Sequence, residues 1–295
     1  MRILVTGREG QLGRSLAERA AAHPNLELVA TSRAEADLSS TGSIAAVIAA
    51  LRPDLVINAA AYTAVDQAEE EPALAFRINA EGAGEAAVAA RKVGAAFIQM
   101  STDYVFDGEA AEPYREEAPT NPLSVYGRSK LAGEEAVRAA NPALLILRTA
   151  WVYSPFGRNF LKSMVGAASS RDSLSVVDDQ LGTPTSALDL ADGILAVARA
   201  WHDEPAQGRG NVYHLAGPEQ VSWCAFARAI MDECRRLGLP AADVLPISTA
   251  EWPTAAIRPG NSALDSAKFA RDFGFAMPQL RDSLATVVQR LAVQA

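Results

Sequence analysis

A short apolar run, Ile3-Leu4-Val5-Thr6, passes directly into Gly7-Arg8-Glu9-Gly10-Gln11-Leu12-Gly13. Leu12, Leu16 and Ala20 then recur on one face of a helix. Strand, glycine turn and helix, in that order, constrain the fold more than any other stretch. An apolar run without polar alternation reads as a parallel strand buried on both faces. Gly7, Gly10 and Gly13 let the backbone turn tightly and approach a diphosphate. The helix N-terminus adds N–H groups and a positive dipole for that anion. The spacing is G-x-x-G-x-x-G rather than G-x-G-x-x-G, and the bland alternative is a glycine-rich structural turn.

The rest of the chain repeats the alternation. Strands are expected at about 26–31, 55–58, 95–100 and 144–149, with helices near 40–51, 72–93 and 124–140 between them. This pattern predicts an α/β fold with a doubly wound parallel sheet. Further on, strands near 175–177 and 211–215 and helices near 188–201 and 222–237 are expected, and prolines punctuate the chain from Gly238 onward. A chain of 295 residues exceeds what one core usually takes. The expected division is a dinucleotide-binding domain of 1–150 plus parts of 188–216, with a smaller, interleaved substrate lobe of 151–187 and 217–295.

Bulk properties narrow the function. A formal charge of −8 without a basic run argues against a nucleic-acid or membrane-surface partner. No apolar stretch is long enough to span a bilayer, and Met1-Arg2-Ile3 runs into the glycine turn without the pattern of a secretory signal. Cys224 and Cys234 fall on one predicted helix, placed poorly for a disulfide. His23, His202 and His214 lack metal-ligand spacing. A cytoplasmic protein without a catalytic metal is expected.

The chemistry concentrates at Tyr126-Gly127-Arg128-Ser129-Lys130. Ser124 caps the helix start, and Tyr126 and Lys130, four apart, share a face. A phenol has a pKa of roughly 10; a neighbouring ammonium is expected to draw it toward neutrality. The same spacing also occurs on ordinary solvated helices. Ser101, Thr102 and Asp103 follow the fourth strand, at the sheet edge where ligands bind, although turn chemistry explains the same residues. Thr31-Ser32-Arg33 ends the second strand, where an acid would favour a ribose diol. A hydroxyl and a guanidinium suit a 2′-phosphate better, which favours NADPH, with NADH the alternative. Asp37 and Leu38 could meet the adenine. Ala59, Ala60 and Ala61 leave room for a cofactor against the backbone. Trp151 could wall a sugar or belong to the core. Asn79 is either a surface residue or a backbone-pinning amide, and the acidic stretch from Asp66 to Glu71 is expected to be solvated.

Seven segments in order carry a resemblance. They are Thr6 to Gly13, Asn58 to Asp66, Ser101 to Gly108, Tyr126 to Lys130, Arg148 to Tyr153, Asp179 to Thr185 and Arg258 to Leu264. In these the chain resembles the extended short-chain dehydrogenase/reductase superfamily, and within it the dTDP-4-dehydrorhamnose reductase family. The resemblance implies that Gly10, Gln11 and Leu12 carry a diphosphate, Asp37 and Leu38 touch adenine, and Ala59 to Ala61 lie on the ribose side. It further implies that Thr102 and Tyr126 bond the sugar's C4 oxygen while Lys130 holds the nicotinamide ribose. Asp103 and Trp151 would line the sugar, with Arg258 and Asn261 near the substrate's nucleotide.

The implied activity is NADPH-dependent reduction of the C4 ketone of dTDP-4-dehydro-β-L-rhamnose to dTDP-L-rhamnose, within polysaccharide biosynthesis. Alternatives remain: another nucleotide-sugar reductase or epimerase, for instance one giving dTDP-6-deoxy-L-talose, or a non-catalytic regulatory subunit of methionine adenosyltransferase type. Related dehydratases carry Asp-Glu after the threonine; here Asp103-Tyr104 follows. Some relatives dimerise around a magnesium ion held by a glutamate at the position of Ser15. The expected assembly is a monomer or weak homodimer.

Overall fold

A computed structural model describes residues 1–142 and 144–294. Its centre is a six-stranded, wholly parallel sheet. In chain order the first five strands are β1 (Arg2–Thr6), β2 (Glu27–Thr31), β3 (Leu55–Asn58), β4 (Ala96–Thr102) and β5 (Leu144–Thr149). In space the order is β2-β1-β3-β4-β5, and the strand Val212–His214 closes the β5 edge. The chain steps from β1 to β2 on one side and then to β3 on the other. A crevice therefore opens at the carboxyl ends of β1 and β3, the place where open α/β sheets bind ligands.

Alternation along each strand builds two layers. Ile3, Val5, Ile57, Ile98 and Leu147 pack on one face with Leu16 of α1 (Gln11–Ala20) and Leu190 of the helix Ala187–Asp203. Leu4, Val56, Phe97 and Ile146 pack on the other with Ile44 and Ile48 of α2 (Ser43–Leu51). Burial of both faces explains why these strands read as continuous apolar runs.

After β3 come α3 (Val65–Glu70) and α4 (Pro72–Phe76). The expected single helix over 72–93 is instead α4, a π-helical turn over Arg77–Gly82, and α5 (Ala83–Val93). The π turn carries Asn79, which is the pinning amide: its Nδ2 donates to the Tyr62 carbonyl at 3.0 Å and to Ser129 Oγ at 2.9 Å, and its Oδ1 accepts from Tyr62 N–H at 2.8 Å. Then follows α6 (Val125–Ala140), the helix of Tyr126 and Lys130.

A second core forms beyond β5. It joins α7 (Phe160–Ala168), the strand Ser173–Val177 and the helix Trp223–Arg236 with the parallel strand Asp243–Ile247 and the C-terminal helix Leu280–Gln294. Cys224 and Cys234 are buried in it as free thiols. Sequence periodicity missed the strand Asp243–Ile247 and the helices Ala267–Phe273 and Leu280–Gln294. Among the described residues no helix is long and apolar enough to cross a membrane.

Candidate active site

The glycine turn is built by contact. Gly7 has φ +83°, and a Cβ there would press on the backbone of Ala60 at 3.3 Å. A Cβ on Gly13 would collide with the Gly7 carbonyl. The N-cap of α1 is Gly10, which offers no side-chain hydrogen bond, so the first N–H groups of the helix are free of a side-chain cap. These residues line a cavity of about 550 Å³. Gln11, Leu12, Arg33, Asp37, Leu38, Ala59, Ala60, Ala61, Tyr126 and Lys130 line it too, so every expected cofactor residue is gathered there.

Helix α6 is seated against this cavity by missing side chains. A Cβ on Gly127 would strike the Tyr104 carbonyl, and one on Gly133 the Asn79 carbonyl. Ser124 Oγ caps the helix by accepting from Gly127 N–H at 3.1 Å. Three of the four acids from Asp66 to Glu71 are engaged rather than solvated, and Glu70 is exposed as expected. Glu69 accepts from Val125 N–H at 2.8 Å and Glu71 from the Tyr62 hydroxyl at 2.6 Å, while Asp66 pairs with Arg258 at 2.7 Å. Fixed neighbouring donors, which a composition-based reading does not register, recruit them.

Lys130 is buried and donates from Nζ to the Met100 carbonyl of β4 at 2.6 Å. Burial pulls its ammonium down to about 8, against the raising effect of Glu134. Burial holds the Tyr126 phenol well above its ordinary value, with the Thr102 hydroxyl drawing it part of the way back. The expectation that Lys130 brings this phenol toward neutrality is thus corrected: desolvation of the phenolate dominates, and Tyr126 stays protonated. Thr102 donates to Asp103 Oδ1 at 2.8 Å. Asp103 is enclosed, and burial pushes its carboxyl up to about 6 despite hydrogen bonds from Ser262 and Thr102.

A second cavity has a volume of about 720 Å³. Its lining includes Tyr104, Phe160, Met164, Arg171, Trp223 and Arg258. Tyr104 of this cavity meets Tyr126 of the first edge-on, with centroids 5.7 Å apart. The walls of the two cavities therefore touch at the phenol. Arg258 donates to Asp66 at 2.7 Å and to the Tyr104 hydroxyl at 3.3 Å.

Of the five expected substrate residues Arg258 lines the second cavity, whereas Thr102, Asp103, Trp151 and Asn261 line neither. Trp151 lines neither cavity; with φ 46° it stacks on Trp223, centroids 3.5 Å apart, and so backs the second one. Asn261 is buried, donating to the Ala110 carbonyl at 2.8 Å and accepting from Gln220 at 3.1 Å. Sequence reasoning missed Glu134, Arg158, Arg171 and Trp223. For Glu134 a signal existed, since it follows Lys130 by four on the same helix face.

The chain is 43% identical over 294 residues to a dTDP-4-dehydrorhamnose reductase of Sinorhizobium fredii, covering 100% of this chain and 99% of that one. A crystal structure of a dTDP-4-dehydrorhamnose reductase from Clostridium acetobutylicum superposes with TM-score 0.90 at 39% identity, covering 99% of this chain and 100% of that one. The Bacillus anthracis dTDP-4-dehydrorhamnose reductase, solved in complex with NADP, gives 0.88 at 35% identity, covering 98% and 99%. The family model described as RmlD substrate binding domain matches residues 1–293, and the chain belongs to that family.

Proposed function

We propose that this protein reduces the C4 ketone of dTDP-4-dehydro-β-L-rhamnose to dTDP-L-rhamnose, with NADPH as reductant and Tyr126 as proton donor. The observation that carries the reading is the contact of Tyr126, in the wall of the first cavity, with Tyr104, in the wall of the second. A dinucleotide fits the first cavity: glycines 7, 10 and 13 leave backbone where a side chain would stand, and α1 offers its uncapped N-terminus. Arg33 in the lining, and the NADP bound by the Bacillus anthracis relative, support NADPH over NADH.

A reduced nicotinamide bound there supplies a hydride to the sugar's C4 carbon. The carbonyl electron pair then moves onto oxygen, which takes the Tyr126 proton. Burial keeps that phenol protonated until it is needed. Thr102 orients the phenol and the developing oxyanion. Lys130, anchored on Met100, compensates the phenolate left behind. On this reading the protein works in the cytoplasm, as a monomer or weak homodimer.

The test is turnover of dTDP-4-dehydro-β-L-rhamnose followed by NADPH and NADH absorbance, with the product identified by NMR. NADPH consumption giving dTDP-L-rhamnose is expected, falling about 10²–10⁴-fold in Tyr126→Phe. Cofactor binding without turnover would sink the proposal.

A further inference from the structure

Among the described residues, three cations line the first cavity: Arg33, Lys130 and Arg158. Two are engaged, Arg33 with Asp37 at 3.5 Å and Lys130 with the Met100 carbonyl at 2.6 Å. Arg158 is exposed, and its side chain has no ion pair or hydrogen bond among the described residues.

Its backbone, by contrast, is tied down next to the glycine turn. Gln11, the first residue of α1, donates from Nε2 to the Val152 carbonyl at 3.2 Å. Its Oε1 accepts from Ser154 Oγ and from Asn159 Nδ2, each at 2.9 Å. Phe156 lies against two guanidinium groups, Arg14 at 5.8 Å and Arg290 at 5.3 Å. Gly157 turns with φ +62° beside Gln11, where a Cβ would stand 3.5 Å from Gln11 Cγ. A fixed loop thus carries an unengaged guanidinium beside the N-terminus of α1.

On the dinucleotide reading above, we propose that Arg158 is a cofactor-binding residue that closes over the diphosphate, opposite the helix N-terminus. The helix end supplies N–H groups and only a partial charge. The chain carries −8 overall, and Glu9 and Asp37 line the same cavity. A full positive charge is therefore needed to offset a bound polyanion, and guanidinium matches phosphate oxygens in pairs. Arg33 stands just past the end of β2, whereas Arg158 stands by Gln11, which makes the diphosphate its partner rather than a 2′-phosphate.

NADPH and NADH are titrated separately into the full-length wild type and Arg158→Ala, following nicotinamide fluorescence at low and high salt. Both dissociation constants should rise by the same factor, about ten-fold, with the difference shrinking as salt screens the contact. Arg158→Lys should fall between. Thermal melts of the variants should match the wild type, since the side chain is exposed. Unchanged constants in Arg158→Ala, where the wild type binds both cofactors, overturn the inference. So does a loss confined to NADPH, which would assign Arg158 to the 2′-phosphate. A wild type that binds neither cofactor removes the dinucleotide reading and this inference with it.

Discussion

Arg148 grips both oxygens of Glu134, from Nε at 2.9 Å and from Nη2 at 2.8 Å, with neither side chain open to water. Ser101 adds a hydrogen bond to Glu134 at 2.6 Å. The contact fastens α6 to β4 and β5 one turn beyond Lys130. Removing one member leaves the other charge buried and alone. Glu134→Ala should therefore destabilise the fold by about 3–5 kcal/mol, measured by urea denaturation. Glu134→Gln keeps the acceptor for Ser101 and should cost less. If Glu134→Ala melts like the wild type, the pair is not holding the helix.

The same carboxylate bears on the pH dependence of catalysis. Lys130 has a folded pKa of about 8, lowered from 10.5 by burial. On the proposed mechanism its charged form is the working one, so activity should be lost on the alkaline side, beginning near 8 rather than above 10. The kcat/KM profile should fall about ten-fold per pH unit beyond that point. In Glu134→Gln the falling limb should move to lower pH, because Glu134 favours the ammonium. A profile flat to pH 10 would rule out Lys130 as the titrating group.

Asp66 and Arg258 join the helix after β3 to the far end of the chain, at 2.7 Å. Asp66 also accepts from Ala256 N–H at 3.1 Å. The pair is partly exposed, so it is worth at most about 1 kcal/mol to stability. Its effect should fall on the second cavity, which both residues line. Asp66→Asn is expected to raise KM for the nucleotide sugar by about three- to ten-fold, with kcat within about two-fold. Steady-state kinetics with saturating cofactor separate the two, and an equal drop in kcat would place Asp66 in the chemical step instead.

The parallel sheet and the dinucleotide cavity were legible because each depends on a local pattern. Ile3 to Thr6 followed by three glycines is a motif and a fold element at once. Helix periodicity put Tyr126 and Lys130 on one face, and the glycine turn and the strand-end hydroxyls upstream were needed to read that face as a site. The second cavity was not, because its walls come from Tyr104, Phe160, Arg171, Trp223 and Arg258, residues that no spacing rule connects. Trp151 and Asn261 illustrate the opposite limit. Both occur in distinctive motifs, yet one stacks behind Trp223 and the other spends its amide on Ala110 and Gln220. A motif identifies that a residue matters and leaves open which way it faces. The helices Ala267–Phe273 and Leu280–Gln294 were hidden by the surrounding prolines.

Gly127 and Gly133 seat α6 directly on the carbonyls of Tyr104 and Asn79. The Tyr126 phenol is thereby located by main chain against main chain, a contact that exchange of neighbouring side chains leaves alone. The outer cavity is lined in part by the large side-chain residues Phe160, Met164, Arg171 and Trp252. On the proposed function, the phenol that sets the reaction type is placed by main-chain packing, and the cavity that receives the sugar is lined by those large residues. Diversifying those four positions should yield proteins that accept other nucleotide sugars while still transferring hydride to a ketone beside Tyr126.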